Sequence, residues 1–157
     1  MKNSRNISFL WVVVFLCSCS MSVVYGQQAN PESEVRDLLH GFFYAMKRKD
    51  SATIQAAFHV DAVMQTVIQE GSVAKLGSSD VSDFIKRVAT SEVELDERLL
   101  AYSIQVDGLL AHAWTPYEFY VNGEFSHCGV NSFQLINTAS GWQITHVIDT
   151  RRKEGCR

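Results

Sequence analysis

The sequence predicts one α+β domain, three helices followed by a meander of strands. Three observations carry this. Apolar residues recur at helical spacing before residue 90, and the period switches to two from Glu92. Asp107-Gly108 and Asn122-Gly123 then punctuate the alternating half with dipeptides suited to two-residue hairpin turns, where positive φ is needed. Helices first and strands after is α+β order, with the helices covering one face of a sheet. The 157 residues, 46% hydrophobic and 20% charged, suit one domain with an appendage. A net charge of −3 argues against a basic nucleic-acid-binding surface over the whole molecule.

The appendage is the N-terminus. Lys2 and Arg5 precede the apolar stretch Ile7 to Cys17, and the small-residue segment CSCSMSVVYG follows. Val24 and Gly26 stand at −3 and −1 of a signal-peptidase cut before Gln27. This is an export-leader pattern and predicts a periplasmic or secreted protein. Two alternatives stay open: an uncleaved anchor, and a lipoprotein attached through Cys19 of the imperfect lipobox Leu16-Cys17-Ser18-Cys19. The expected organisation is a leader over 1–26, a linker over 27–31, one domain over 32–152 and a tail over 153–157. Cleavage leaves 131 residues with net charge −5. Of the cysteines, only Cys128 and Cys156 then remain, and in an oxidising compartment they could pair or stay free. Two cysteines alone do not make a zinc site.

The first helix starts at Asn30-Pro31, a capping residue followed by a first-turn proline, with Glu32 and Glu34 complementing the helix dipole. Val35, Leu38, Leu39, Phe42, Phe43 and Met46 form its apolar stripe, and Lys47, Arg48 and Lys49 suit its C-terminus. Asp50 caps a short second helix carrying Ile54, Ala57 and Phe58. A strand over Val63–Ile68 and a loop bracketed by Gly71 and Gly77 come next. Ser79 or Asp80 caps the third helix, whose apolar face is Val81, Phe84, Ile85 and Val88. Four long antiparallel strands are expected at about Glu92–Val106, Leu109–Val121, Glu124–Ile136 and Trp142–Arg151.

The helix pattern VRDLLHGFFYAMKRKD, the segment FHVDAV and the run FYVNGEFSHCGVNSFQLINTASGWQITHVIDTRRK together resemble the nuclear transport factor 2-like superfamily. Within it the chain is most similar to the SnoaL-like and "putative lumazine-binding" secreted proteins of bacteria. The resemblance spans about Glu32 to Arg152. It implies a cone-shaped, strongly curved antiparallel sheet wrapped around three N-terminal helices, with a pocket at the open end and frequent dimers. It implies no single activity, since isomerases, dehydratases, cyclases, epoxide hydrolases and non-catalytic binders share the fold.

If Val106 pairs with Leu109, Val121 with Glu124 and Ile136 with Trp142, side chains sort onto two faces. One carries Ile104, Ala111, Gln134 and Ile144, then Tyr102, Ala113, Ser132 and His146, then Leu100, Thr115, Val130 and Ile148, then Arg98, Tyr117, Cys128 and Thr150. Trp142, Ile144 and Ile148 need cover, so this face is expected to be concave. The other face brings Trp114, Phe133 and Val147 together, an apolar patch that predicts a homodimer surface, with a Glu97–Glu118–His127–Arg151 row as its charged rim. A rival reading makes that row the active site. One β-bulge would exchange the faces beyond it.

On this register a mostly apolar cavity holds a few convergent polar groups, the pattern of a small-molecule site. Tyr117, Ser132, Gln134 and Arg98 are the expected ligand contacts from the strands, and His40, Tyr44 and His59 those from the helical half. His146 with Tyr102, aided by Asp61, is the candidate acid–base set. An Asp-Arg-Asp set, as in the superfamily's epoxide hydrolases, would need Asp149 and Arg151, which this register turns outward. No phosphate-cradling glycine loop and no pair of metal ligands on one element is present, so neither a cofactor nor a metal is expected. The expected function is an exported protein binding a small apolar or aromatic molecule, with no nucleic-acid partner and no membrane attachment after cleavage unless Cys19 is lipidated. The alternatives are a lyase or isomerase using His146 and Tyr102, and a non-catalytic dimeric accessory domain.

Overall fold

The computed structural model describes residues 30–156; the leader, the Cys19 alternative and most of the linker lie outside the described residues. Helix α1 spans Pro31–Arg48, α2 Ser51–Ala57 and α3 Val81–Ala89. Each begins at a side-chain cap. Asn30 Oδ1 accepts from the Glu32 N–H at 3.1 Å, Asp50 Oδ1 from that of Thr53 at 3.1 Å, and Asp80 Oδ1 from that of Ser82 at 2.7 Å. Lys49 adopts φ 59° after α1 and its N–H closes the last turn. The stripe Val35, Leu39, Phe42, Phe43 and Met46 is buried. Phe42, Phe43, Phe58, Phe84 and Phe133 form edge-to-face and stacked pairs with centroids 4.9 to 6.4 Å apart, joining all three helices' surroundings to the sheet.

The sheet has seven strands: β1 Phe58–Glu70, β2 Val73–Ser79, β3 Leu95–Leu99, β4 Ser103–Asp107, β5 Leu110–Val121, β6 Glu124–Thr138 and β7 Gly141–Arg152. Their order is β2-β1-β7-β6-β5-β3, with β4 also on β5. Two expectations are corrected. The loop between Gly71 and Gly77 is mostly strand, since Val73–Ser79 pairs antiparallel with β1. The sheet is mixed, because β1 runs parallel to β7, with Val63 opposite His146.

Three irregularities set which side chains face the helices. The expected strand Glu92–Val106 breaks over 100–102, so Leu95, Glu97 and Leu99 face inward before the break and Ile104 and Val106 after it. In the first hairpin the turn moves along by one residue, pairing Val106 with Ala111, and this two-step change in pairing leaves the faces of β5 as expected. In the second, Val121 pairs with Glu124 and Tyr120 with Phe125, but Phe119 then pairs with His127, leaving Ser126 as the extra residue of a bulge. On β7, Ile144 pairs with Leu135 but His146 with Gln134, so Thr145 is a second extra residue. Because side chains alternate with period two, each extra residue exchanges the faces of everything past it.

Trp142 and Ile144 therefore lie under the helices as expected, and Trp142 Nε1 donates to Glu34 Oε2 at 3.0 Å. Beyond Thr145 the inward residues are Val147, Asp149 and Arg151, and on β6 they are His127, Gly129, Asn131, Phe133 and Leu135.

Candidate functional site

The curved sheet and the helices enclose a cleft with two lobes. The first, about 110 Å³, is lined by Phe42, Phe43, Met46, Met64, Phe84, Phe133 and Val147, with Glu97, Asn131, Asp149 and Arg151 at its polar end. The second, about 240 Å³, adds Tyr117, Phe119 and His127. Met46, Phe84, Arg87, Glu97, Asp149 and Arg151 line both lobes, so the polar cluster sits where the lobes meet.

Three cross-strand rows build that cluster. Glu97 on β3 lies opposite Phe119, which lies opposite His127. Tyr117 lies opposite Gly129, which lies opposite Arg151. Thr115 lies opposite Asn131, then Asp149, then Thr66 of β1. Asn131 Nδ2 donates to Glu97 Oε1 at 2.7 Å. Arg151 Nε donates to Asp149 Oδ2 at 2.7 Å. The Tyr117 hydroxyl donates to the Thr150 carbonyl at 3.0 Å, and Asp149 Oδ2 lies 3.5 Å from the Tyr117 hydroxyl oxygen. The hydroxyls of Thr66 and Thr115 are buried without a hydrogen-bond partner, and Thr66 lines the first lobe.

Burial sets the protonation of this cluster. Loss of solvation pushes the Glu97 carboxyl up to about 8, opposed by the Asn131 bond and the Arg151 charge and aided by the negative charge of Asp149. Glu97 is therefore largely a neutral acid at pH 7. Burial also pushes the Tyr117 hydroxyl far up and holds His127 below the usual histidine range, with the Arg151 charge adding to the latter. The cluster can donate from Glu97 and Arg151 and accept at Asp149. A neutral carboxylic acid beside a carboxylate whose charge is met by an arginine is suited to acid–base work or to orienting a polar ligand.

The expected site residues divide. Tyr117 lines the second lobe, and Ala111, Ala113 and Thr115 of the same strand are buried on the same face. His146, Ser132 and Gln134 do not. They lie past a bulge and face the convex side, where His146 Nε2 meets Gln65 Oε1 at 2.9 Å and His112 Nε2 meets Ser132 Oγ at 3.3 Å. Tyr102, in the break between β3 and β4, lies beneath Arg36 of α1, the guanidinium 4.7 Å from its ring centre. His146 and Tyr102 thus form no pair. Asp61 is exposed at the start of β1 and its N–H donates to His59 Nδ1, a local turn contact well suited to those residues. Tyr102, Arg98, His40 and Tyr44 do share a groove, but on the flank between α1 and β3, where Lys47 and Arg98 both reach Asp96, at 3.0 and 2.9 Å. His59 borders a surface hollow near the start of α3.

The expected dimer patch is corrected by the same bulges. Trp114 is 47% exposed on the convex face, whereas Phe133 and Val147 are buried in the core. Of the expected charged rim, Glu97, His127 and Arg151 line the cleft, and Glu118 turns outward to accept from Tyr120 at 2.8 Å. Cys128 and Cys156 are joined in a disulfide. Arg87 and Asn131 are polar residues of the cleft that the sequence placed in no candidate site, and Glu97 stood only in the rival charged row. A signal for Glu97 exists: it stands between Leu95 and Leu99 at period two, on what must be an inward face.

Three helices against a curved, unclosed sheet with a polar-ended cleft define the nuclear transport factor 2-like class. Among solved structures the chain is similar to a "Nuclear transport factor 2 (NTF2-like) superfamily protein" from Salmonella enterica, with 18% identity, 80% of this chain and 94% of that one covered, and a TM-score of 0.61. It is also similar to a "putative dehydratase from the NTF2-like family" from Streptomyces avermitilis, at 17% identity, 76% and 94% coverage and a TM-score of 0.60. A "Putative Scytalone Dehydratase" from Novosphingobium aromaticivorans follows at 8% identity, 76% and 83% coverage and a TM-score of 0.61. At such identities the likeness shows the fold. No curated protein matches the chain. The family described as "Putative lumazine-binding" matches residues 30–146, and the chain belongs to it.

Proposed function

We propose that this chain is an exported protein that binds a small, flat, largely apolar molecule in the first lobe and orients its polar end at Glu97, Asn131 and Asp149. The observation that carries the reading is the lobe itself, walled by Phe42, Phe43, Met46, Phe84, Phe133 and Val147 and closed at one end by that hydrogen-bonding cluster. Thr66, with a buried hydroxyl lacking a partner, adds a further polar group for a ligand to meet. Export is supported by the leader pattern of residues 1–26 and by the Cys128–Cys156 disulfide, a bond that persists in oxidising compartments.

The test is calorimetric titration with flat bicyclic probes, lumazine and 1-naphthamide among them. Saturable one-to-one binding is expected, and Val147→Phe, which fills the lobe, should abolish it while the far-ultraviolet dichroism is unchanged. Binding that survives in Val147→Phe, or none with any such probe, would remove the reading.

A second reading is favoured by one observation, the Glu97 carboxyl, which burial pushes up to about 8, lining the same cleft as the Asp149–Arg151 pair. In a lyase or isomerase Asp149 would take a proton from carbon and Glu97 would give one to a departing or enolising oxygen. This set replaces His146 and Tyr102.

A further inference from the structure

We infer that the first lobe selects a ring whose polar edge donates a hydrogen bond, a lactam or phenol in place of a lactone or ether, with Asp149 and Thr66 receiving the donor. The inference rests on the ligand-binding reading above and gives its ligand a hydrogen-bonding polarity. It follows from two neighbouring levels of the sheet. At one level Phe133 of β6, Val147 of β7 and Met64 of β1 stand side by side, and all three line the first lobe. At the next level on the same face and the same three strands stand Asn131, Asp149 and Thr66, which line it too. Paired strands lie about 4.8 Å apart, and successive levels on one face are separated by about 7 Å along each strand. A flat ring lying on the apolar level therefore meets the polar level with its edge.

That level presents oxygens with no donor among the described residues. Asp149 Oδ2 accepts from Arg151 Nε at 2.7 Å, whereas its Oδ1 accepts no hydrogen bond among the described residues, although the side chain is only 12% exposed. Asn131 Nδ2 donates to Glu97 Oε1 at 2.7 Å, an oxygen that accepts in either protonation state, and Asn131 Oδ1 has no donor among the described residues. Thr66 Oγ1 is buried with no partner. Its methyl group lies against β2, where a Cβ built at Gly77 would stand 3.0 Å from Thr66 Cγ2. Withdrawn oxygens of this kind cost free energy until a donor reaches them. A lactam N–H or a phenol O–H at the edge of the bound ring supplies that donor. A lactone or ether oxygen at the same place would set lone pair against lone pair. Arg151 stands one level further along β7, opposite Gly129, so the oxygens of Asp149 and Thr66 lie nearer the apolar level than its own row does.

The experiment is calorimetric titration at pH 7 with quinolin-2-one and coumarin, flat bicycles of the same outline in which a ring N–H is exchanged for a ring oxygen. Quinolin-2-one is expected to bind at least about tenfold more tightly. Thr66→Val removes the hydroxyl at nearly constant volume and should shrink that preference at least about threefold. Its melting temperature should hold or rise, because the hydroxyl has no partner in the protein to lose. A fall would mean that the hydroxyl serves the fold, and would overturn its assignment to the ligand. A preference that survives intact in Thr66→Val overturns the same assignment. Equal affinity of the wild type for the two probes overturns the inference and leaves the ligand-binding reading standing, as does failure of both while 1-naphthamide or lumazine binds. Failure of all four removes the ligand-binding reading together with the inference.

Discussion

Glu97 concentrates the chemistry of this protein in one side chain. Its ordinary pKa is near 4.5 and the fold raises it to about 8. Below about 4.5 folded and unfolded chains both carry the proton. Between those values the unfolded chain releases it and the folded chain keeps it, so the unfolded state gains as pH rises, and the effect levels off above about 8. Stability should therefore fall across that window, by up to about 5 kcal/mol. Glu97→Gln keeps the acceptor for Asn131 Nδ2 and cannot ionise. Urea unfolding from pH 5 to 9 should show the slope in the wild type and a markedly flatter profile in the variant. An unchanged slope would mean that Glu97 ionises freely. The same variant separates the two functional readings, since a binder should tolerate it and an acid–base enzyme should lose turnover.

At the scale of elements, the rows of the site depend on how closely strands approach. Gly129 faces Tyr117 on one side and Arg151 on the other. A Cβ there would collide with the Thr150 carbonyl oxygen and stand 2.9 Å from Tyr117 Cε1. That carbonyl is backbone and accepts the Tyr117 hydroxyl, so neither neighbour can give way cheaply. Gly129→Ala should cost about 2–3 kcal/mol by overpacking. Gly41 in α1 has nothing within 4 Å of the same construction, and Gly41→Ala should be neutral or stabilise by up to about 1 kcal/mol through helix propensity. Equilibrium denaturation of the two variants side by side checks the contrast. Equal effects would mean that the strand crowding at Gly129 relaxes without cost.

At the scale of the whole molecule, the Cys128–Cys156 bond ties the C-terminal tail to β6 beside the end of β7, the strand that carries Asp149 and Arg151. It closes a loop with a sequence separation of 28. On the chain-entropy estimate its loss should cost about 3 kcal/mol. The Cys128→Ser/Cys156→Ser double variant should unfold at correspondingly lower urea, and reductant should lower the wild type to the same midpoint. No change in either would mean that the tail is held by its other contacts.

How much of this was legible before folding varies with range. The caps Asn30, Asp50 and Asp80, the stripe of α1 and the turn at Asn122-Gly123 are local, and each acts through neighbours a few residues away. The α+β class and the family follow from their order along the chain. The cleft does not, because its membership depends on the parity of residues between a turn and the site. One break over 100–102 and one extra residue each at Ser126 and Thr145 moved Glu97, Asn131, Asp149 and Arg151 inward and His146, Ser132 and Gln134 outward. A bulge leaves a faint mark in composition, since it is stabilised by neighbouring strands and by the curvature they share, not by its own residue type. Ser126 and Thr145 are ordinary strand residues. Their departure from the ladder arises only when β5, β6 and β7 pair side by side against Phe42 and Phe43 of α1, and with it comes the choice of which charges line the cleft.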